Sequence, residues 1–228
     1  MTDFLLVHGG WHGAWCWSGV LQRLRSSGHR AFAPTLTGLA DRSHLFGSDI
    51  GLDTHIADVV STVRWEEMDG IVLCGHSYGG MVISGAAEQL EGKLAGIAFI
   101  DAFFPLDGQS CSDLSGRVVA RDAAIPPPPA ESFGIADADE CARVARLMTP
   151  HPSNTVSDKI ALSGARERVA KKAYIVAGNR ERSYFQKPYE TLSQDPAWQT
   201  FALPTGHHPM LDAPDALVDV LKGQFASA

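Results

Sequence analysis

The pentapeptide Gly75-His76-Ser77-Tyr78-Gly79 constrains the fold of this chain more than any other stretch. It follows the apolar run 71–74 and precedes the apolar stretch 81–87, an order that predicts a strand, a sharp turn and a helix. In a G-x-S-x-G turn, the glycines permit a strained bend that exposes the serine hydroxyl at its apex. The amides at the start of the following helix favour negative charge at the same point. The pattern therefore predicts that Ser77 is a nucleophile.

Composition narrows the class of protein and its partners. The 228 residues suffice for one domain with a sizeable core, and a net charge of −7 argues against nucleic acid and anionic membranes as partners. No apolar run approaches the roughly 18 residues that span a membrane. The cysteines show no CxxC spacing, so we interpret them as reduced thiols in a cytoplasmic protein. The oligomeric state stays open.

Short apolar runs alternate with amphipathic stretches along most of the chain. Strands are predicted at 4–7, 30–34, 71–74, 94–100, 173–177 and 198–203, and helices at 15–27, 54–66, 80–90 and 214–225. This alternation predicts an α/β fold with a mostly parallel sheet that is covered on both faces. Residues 103–170 break the pattern with many prolines and one clear helix at 137–148. We therefore predict a core made of residues 1–102 and 171–228, with residues 103–170 inserted as a lid.

A serine hydroxyl needs an adjacent base, and a histidine just past the last strand is the best candidate. The segment after that strand contains both His207 and His208. We favour His207, because it follows Gly206 at the bend, whereas His208 precedes Pro209, which restricts the backbone of His208.

The base in turn needs a carboxylate that fixes its tautomer and stabilises the imidazolium. Asp101 directly follows the apolar run 96–100, where a carboxylate is costly unless it is paired. The loop after the penultimate strand, residues 178–182, holds a single carboxylate, Glu181. We favour Asp101 as the acid of the triad, with Glu181 as the alternative.

An oxyanion hole requires two backbone N–H groups aimed at the developing negative charge. We assign one to Tyr78, which follows the nucleophile, and the other to Gly10, in the glycine-rich segment after the first strand. That segment has no GxGxxG pattern and no Lys-Ser/Thr pair, which disfavours nucleotide binding. For an apolar substrate pocket the candidates are Trp11, Phe103, Phe104, Phe133, Met148 and Phe185.

Together these motifs resemble the α/β-hydrolase fold family over nearly the whole chain. The segments 8–15 (HGGWHGAW) and 75–80 (GHSYGG) are similar to the oxyanion segment and the elbow of its plant methylesterase and hydroxynitrile lyase branch. Segments 101–105 and 147–152 resemble the flanks of the lid in that branch. Segment 33–39 is most similar to bacterial carboxylesterases, pyrethroid hydrolases and benzimidazole-carbamate hydrolases. The resemblance implies an α/β-hydrolase core with an inserted helical lid.

Two features depart from this branch. The family usually carries its acid after the penultimate strand, where the aligned residue here is Arg180. That departure favours Asp101, a placement similar to that in haloalkane dehalogenases. The lyases of the branch have a threonine after the first histidine and a lysine after the catalytic histidine, where this chain has Gly9 and His208. The resemblance therefore implies an esterase rather than a lyase.

We interpret the chain as a cofactor-free serine hydrolase that cleaves a small, neutral, largely apolar carboxylic ester or carbamate through an acyl-enzyme on Ser77. The alternatives are a hydroxynitrile lyase or another non-hydrolytic lyase of the same fold, and a receptor-like protein that binds a ligand and turns over slowly. The presence of both Ser77 and His207 argues against the receptor-like reading. A metal site built on His8, His12 and His207 is disfavoured, because the HExxH spacing is absent.

Overall fold

The computed structural model describes residues 1–179 and 184–226, and its centre is a six-stranded parallel sheet. Its strands are β1 (Asp3–Val7), β2 (Arg30–Phe32), β3 (Ile71–His76), β4 (Leu94–Ile100), β7 (Lys171–Ala177) and β8 (Gln199–Leu203). Between β4 and β7 in the chain, β5 (Ala124–Ile125) and β6 (His151–Pro152) form a separate antiparallel pair. The order in the sheet is β2-β1-β3-β4-β7-β8, which confirms the predicted mostly parallel sheet.

The register of the sheet brings the ends of its strands to one edge. Val7 pairs with Gly75, and His76 pairs with Ile100, so β1, β3 and β4 end side by side. Strands β1 and β3 are buried along their whole length, as expected for parallel strands covered on both faces. In sheets of this kind, functional residues collect outside the carboxyl ends of the strands.

Helices cover both faces of the sheet. The α-helices are α1 (Ser18–Ser26), α2 (Leu52–Trp65), α3 (Gly79–Gln89), α4 (Cys111–Ser115), α5 (Ala138–Leu147), α6 (Asn154–Ser157), α7 (Ala165–Arg168), α8 (Gln186–Leu192), α9 (Pro209–Asp212) and α10 (Pro214–Phe225). One core cluster packs α2, α3 and α8 against the sheet, and the other packs α1 and α10 against the opposite face. The apolar stripe of α2, whose members are Leu52, Ile56, Val59 and Val63, faces the first cluster, which explains the periodicity in the sequence.

Several local predictions need correction. The predicted helix at 15–27 is a 3₁₀ turn at Ala14–Trp17 followed by α1, and the stretch between β2 and α2 contains a 3₁₀ helix at Ala40–Leu45 that was not predicted. Helix α8 lies between the last two strands of the sheet, where no helix was predicted. Its sequence QKPYETL places a proline inside a helix of only about two turns, which hides the helical signal.

The stretch 103–170 contains α4 to α7, β5, β6 and a 3₁₀ turn at Ala130–Phe133. Its predicted helix is present as α5, and the carboxylate of Asp137 caps it by accepting a hydrogen bond from the Glu140 amide at 2.8 Å. Among the helices of the described ranges, none has the length and hydropathy that a membrane crossing requires.

Candidate active site

Ser77 lies at the apex of the turn between β3 and α3, in a strained backbone conformation. Its φ angle is +54°, in the left-handed region that side chains other than glycine rarely adopt. The turn is tight, since a Cβ on Gly79 would lie 2.8 Å from the carbonyl oxygen of Val7 and 2.9 Å from that of His8. Glycine at this position therefore allows the start of α3 to press against the end of β1 and hold Ser77 outward.

The structure brings Ser77, His207 and Asp101 into one hydrogen-bonded row. The Ser77 hydroxyl lies 2.9 Å from Nε2 of His207, and Nδ1 of His207 lies 2.6 Å from Oδ2 of Asp101. With Nδ1–H donating to the carboxylate, Nε2 is the acceptor that faces the serine hydroxyl. The predicted nucleophile, base and first-choice acid are thus in contact, although Ser77 and His207 are 130 residues apart in the chain.

Asp101 directly follows β4 and is fully buried, with 0% of its surface exposed. Its Oδ1 accepts a hydrogen bond from the Ala177 amide at 3.1 Å, and its own amide donates to the carbonyl of Ile175 at 2.6 Å. Its φ angle is +41°, in the left-handed region that residues other than glycine rarely adopt. These bonds meet the requirement that a buried carboxylate be paired and hydrogen-bonded. The alternative acid, Glu181, lies outside the described residues.

The imidazole of His207 is held between two phenyl rings. Phe185 stacks on it with ring centroids 5.2 Å apart and planes 3° apart, and Phe133 stacks at 5.7 Å and 20°. Its backbone is fixed as well, because its amide donates to the Phe133 carbonyl at 2.8 Å and Nε2–H of His76 donates to its carbonyl at 2.7 Å. The ring is therefore oriented before any ligand binds.

His208 has a different environment from its neighbour. Its ring is fully buried and packs against His12 and Phe133, at centroid distances of 4.6 and 4.7 Å. His207 belongs to the described lining of the cavity beside Ser77, and His208 does not. The geometry favours His207 over His208 as the partner of the serine.

The residues predicted to form the oxyanion hole flank Ser77. Gly10 and Tyr78 both line the cavity, and within the described part of the chain no carbonyl accepts a hydrogen bond from either amide. Gly9 packs closely behind them, since a Cβ there would lie 2.8 Å from the Cβ of Ser77. Two N–H groups without a backbone partner beside a serine hydroxyl can stabilise an oxyanion.

The cavity in front of Ser77 has a volume of about 410 Å³, which suits a small organic ligand. Of the six predicted pocket residues, Trp11, Phe103, Phe133 and Phe185 line it. The remaining described lining residues are Cys111, Ser115, Arg117, Val119, Ile125, Pro128, Ser132, His151, Val156 and Tyr184.

Two predicted pocket residues, Phe104 and Met148, are not part of this described lining and need correction. The ring of Phe104 is turned into the core, edge-on to Trp198 at 5.3 Å and to Phe99 at 4.9 Å. The guanidinium of Arg166 covers the same ring at 3.8 Å. Met148 directly follows α5 as its C-cap, and its amide donates to the Val144 carbonyl at 3.0 Å. Adjacent aromatic residues on a loop face opposite ways, which composition does not reveal.

Buried, neutral histidines surround the row of catalytic candidates. Burial lowers the pKa of His8 to about 3 and the pKa of His12 to about 4. Burial also lowers the pKa of His55 to about 4 and holds the pKa values of His76 and His151 well below their usual range. Backbone groups hold both nitrogens of His8: its Nδ1–H donates to the Gly9 carbonyl at 2.8 Å, and the Leu36 amide donates to its Nε2 at 3.0 Å. These histidines act as uncharged parts of the framework.

Sequence reasoning missed His151 and Cys111, which both line the cavity. Burial raises the pKa of the Cys111 thiol to about 12, so this group is a poor nucleophile at neutral pH. The signal that could have found His151 was its place in the segment 147–152, which resembles a lid flank. Among the described residues, no group of three or more His, Cys, Asp or Glu side chains is arranged to hold a metal ion.

Comparisons with known proteins identify the family. The family model for the alpha/beta hydrolase family matches residues 4–220. A carbendazim hydrolyzing esterase from Nocardioides sp. (strain SG-4G) is 36% identical over 97% of this chain and 98% of its own length. The match confirms the family resemblance predicted from the motifs.

Solved structures of low sequence identity share the fold. An extracellular α/β-hydrolase from a Paenibacillus species superposes with a TM-score of 0.84 at 21% identity, over 100% of both chains. A methylesterase from Arabidopsis superposes with a TM-score of 0.80 at 20% identity, over 97% of both chains.

Proposed function

This chain belongs to the α/β hydrolase family as an ester-cleaving enzyme, and we propose that it acts as a serine hydrolase on small, neutral, largely apolar carboxylic esters or carbamates. The observation that carries the proposal is the row Ser77–His207–Asp101, hydrogen-bonded at 2.9 and 2.6 Å beside a 410 Å³ cavity.

In the proposed first step, Ser77 Oγ attacks the carbonyl carbon of the substrate while its proton passes to Nε2 of His207. Asp101 keeps the Nδ1–H tautomer in place and stabilises the imidazolium that results. The amides of Gly10 and Tyr78 hold the oxyanion of the tetrahedral intermediate. The imidazolium then protonates the leaving alcohol or amine, and the acyl or carbamoyl group remains on Ser77.

In the second step, His207 removes a proton from water, and the hydroxide attacks the acyl carbon. The second tetrahedral intermediate collapses as His207 returns the proton to Ser77 Oγ. The product is a carboxylic or carbamic acid, and the enzyme regains its starting state. No cofactor is needed in either step.

The lining of the cavity supports the proposed substrate class. Aromatic and aliphatic side chains, among them Phe103, Ile125 and Val156, form most of it, and Arg117 is the one formally charged side chain among the described lining residues. The stretch 103–170 supplies many of these lining residues, which supports its proposed role as a lid. The name of the Nocardioides relative supports ester cleavage.

The chemistry of positions 9 and 208 favours hydrolysis over a lyase reaction. A lyase of this branch would use a lysine after the catalytic histidine to stabilise its leaving anion. His208 in this chain is buried against His12 and Phe133 and is not among the described residues that line the cavity. We also propose a cytoplasmic location, supported by four free cysteine thiols at Cys16, Cys74, Cys111 and Cys141.

The test is hydrolysis of p-nitrophenyl esters and aryl carbamates by wild type, Ser77→Ala, Asp101→Asn and Glu181→Gln. We expect no turnover for Ser77→Ala and a kcat about 10⁴-fold lower for Asp101→Asn, because the wrong tautomer of His207 is then favoured. Glu181→Gln is the matched control and should retain activity. Loss of activity in Glu181→Gln with normal activity in Asp101→Asn would overturn the acid assignment, and an inactive wild type would overturn the hydrolase proposal.

A further inference from the structure

His151 is a buried imidazole whose two nitrogens are both engaged. It begins β6, is 1% exposed and lines the cavity that contains Ser77. The Trp11 amide donates to its Nδ1 at 3.4 Å, and its Nε2 lies 2.7 Å from the Thr155 hydroxyl oxygen. Because that hydroxyl donates to the Pro152 carbonyl at 2.7 Å, Nε2 of His151 carries the proton and donates to Thr155. The contacts therefore fix one neutral tautomer.

The same ring contacts both sides of the proposed oxyanion hole. It lies edge-on to the ring of Tyr78, with centroids 4.9 Å apart and planes 76° apart. On the other side, a Cβ on Gly10 would lie 3.8 Å from its Nδ1. A shift of His151 would therefore change its packing against Gly10 and Tyr78, the two residues whose amides are proposed to hold the oxyanion.

The loop that carries Gly10 is held in a conformation that local sequence does not favour. Trp11 has a φ of +64°, in the left-handed region that is uncommon for a bulky residue. Its carbonyl accepts a hydrogen bond from the Thr149 amide at 3.0 Å, and its indole N–H donates to the Ile125 carbonyl at 3.1 Å. These partners, like His151, belong to the segment 103–170.

From these contacts we propose that His151 is a positioning residue, which holds the Trp11 backbone in its left-handed turn and so sets the aim of the neighbouring Gly10 amide at the oxyanion. The proposal rests on the serine hydrolase function proposed above. A role for His151 as a second acid or base is disfavoured, because both of its nitrogens are bonded to protein groups.

The experiment compares wild type with His151→Leu, His151→Gln and Thr155→Val, and uses the exposed His44→Gln as the matched control. Each folded protein is assayed for kcat and KM on a p-nitrophenyl ester. It is also assayed for inhibition by a trifluoromethyl ketone of matching chain length. Ser77 Oγ adds to that ketone and passes its proton to His207, so the bound hemiketal oxyanion reports on the oxyanion hole directly.

For His151→Leu we expect kcat to fall about 10- to 100-fold, with KM within about threefold of wild type, as for a misaimed oxyanion donor. The affinity for the trifluoromethyl ketone should fall by the same factor as kcat/KM. His151→Gln should recover most of the loss, because an amide can both accept from Trp11 and donate to Thr155. Thr155→Val, which leaves the imidazole in place without its acceptor, should lower kcat to a smaller extent.

Unchanged kcat in folded His151→Leu would overturn the inference, as would a higher KM alone or a lower kcat with unchanged ketone affinity. If His151→Leu does not fold, His151→Gln and Thr155→Val decide. A kcat close to wild type in His151→Gln together with a reduced kcat in Thr155→Val supports positioning, and a wild-type kcat in Thr155→Val overturns it. Turnover by wild type and its loss in Ser77→Ala test the hydrolase proposal independently. A wild type that neither hydrolyses the ester nor binds the ketone overturns both proposals.

Discussion

Acidification from pH 7 to pH 5 should remove a large share of the stability of this fold, because neutral histidines are buried around Ser77. Burial lowers the pKa of His8 to about 3 and those of His12 and His55 to about 4, from an ordinary value of 6.5. In the native state these rings stay neutral as the pH falls, whereas the unfolded chain takes up a proton at each. Unfolding therefore becomes more favourable below pH 6.5, and the effect grows until the native pKa is reached.

The size of the effect follows from the pKa values. Each pH unit below the unfolded pKa is worth about 1.4 kcal/mol per histidine, so one histidine costs about 2 kcal/mol at pH 5. The three histidines together cost about 6 kcal/mol, against a total of about 5–15 kcal/mol for a typical domain. Burial shifts the pKa values of His76 and His151 in the same direction, which adds to the loss.

The assay is urea unfolding, followed by tryptophan fluorescence at pH 7, 6 and 5 and constant ionic strength. We expect the free energy of unfolding to fall by about 4 kcal/mol per pH unit or more between pH 6 and 5, as three or more protons are taken up. His55→Gln should reduce the number of protons taken up on unfolding by about one and so make this slope shallower, whereas His44→Gln, at an exposed position, should leave the slope unchanged. A free energy of unfolding that changes by less than about 1 kcal/mol between pH 7 and 5 would refute the reasoning.

Two further predictions concern the turn and the cavity. Gly79→Ala should destabilise the fold by about 1–3 kcal/mol and reduce activity, because the added Cβ would meet the Val7 carbonyl. The control is Gly223→Ala in α10, where the added Cβ meets open space, and thermal unfolding should show it to be neutral or stabilising. Equal melting temperatures for both variants would contradict this. Iodoacetamide at pH 8 should label the half-buried Cys141 before the buried Cys111, because burial raises the pKa of the Cys111 thiol to about 12. Peptide mass spectrometry follows the labelling, and an ester assay should show that activity survives the labelling of Cys141. Inactivation that tracks labelling of Cys111 would refute this prediction.

The parts of this protein that sequence predicts well are those fixed by local pattern. The turn at Ser77 is specified within six residues, and α10 begins and ends where Pro214 and the apolar period place it. Asp101 could be singled out because an ionisable group at the end of an apolar run needs a partner, and His207, in the segment after β8, is in contact with it.

The parts that sequence predicts poorly depend on contacts between distant segments. Phe103 and Phe104 are adjacent and chemically identical, yet Phe103 lines the cavity and Phe104 packs on Trp198, 94 positions later in the chain. His151 is a similar case, because its proposed role depends on the hydrogen bond from the Trp11 amide, which is 140 residues away in the chain. Periodicity and composition carry no information about such pairings, so these assignments needed the structure.

The stacking of His207 between Phe133 and Phe185 has a consequence for how this enzyme can diverge. In the proposed mechanism His207 becomes a cation during turnover, and two aromatic faces then attract the positive charge, one of them supplied by the stretch 103–170. Changes in that stretch which admit a larger acyl group also alter the wall that stabilises the protonated base. Under the proposed mechanism, a substitution at Phe133 would therefore change both the shape of the acyl pocket and the stabilisation of the protonated base.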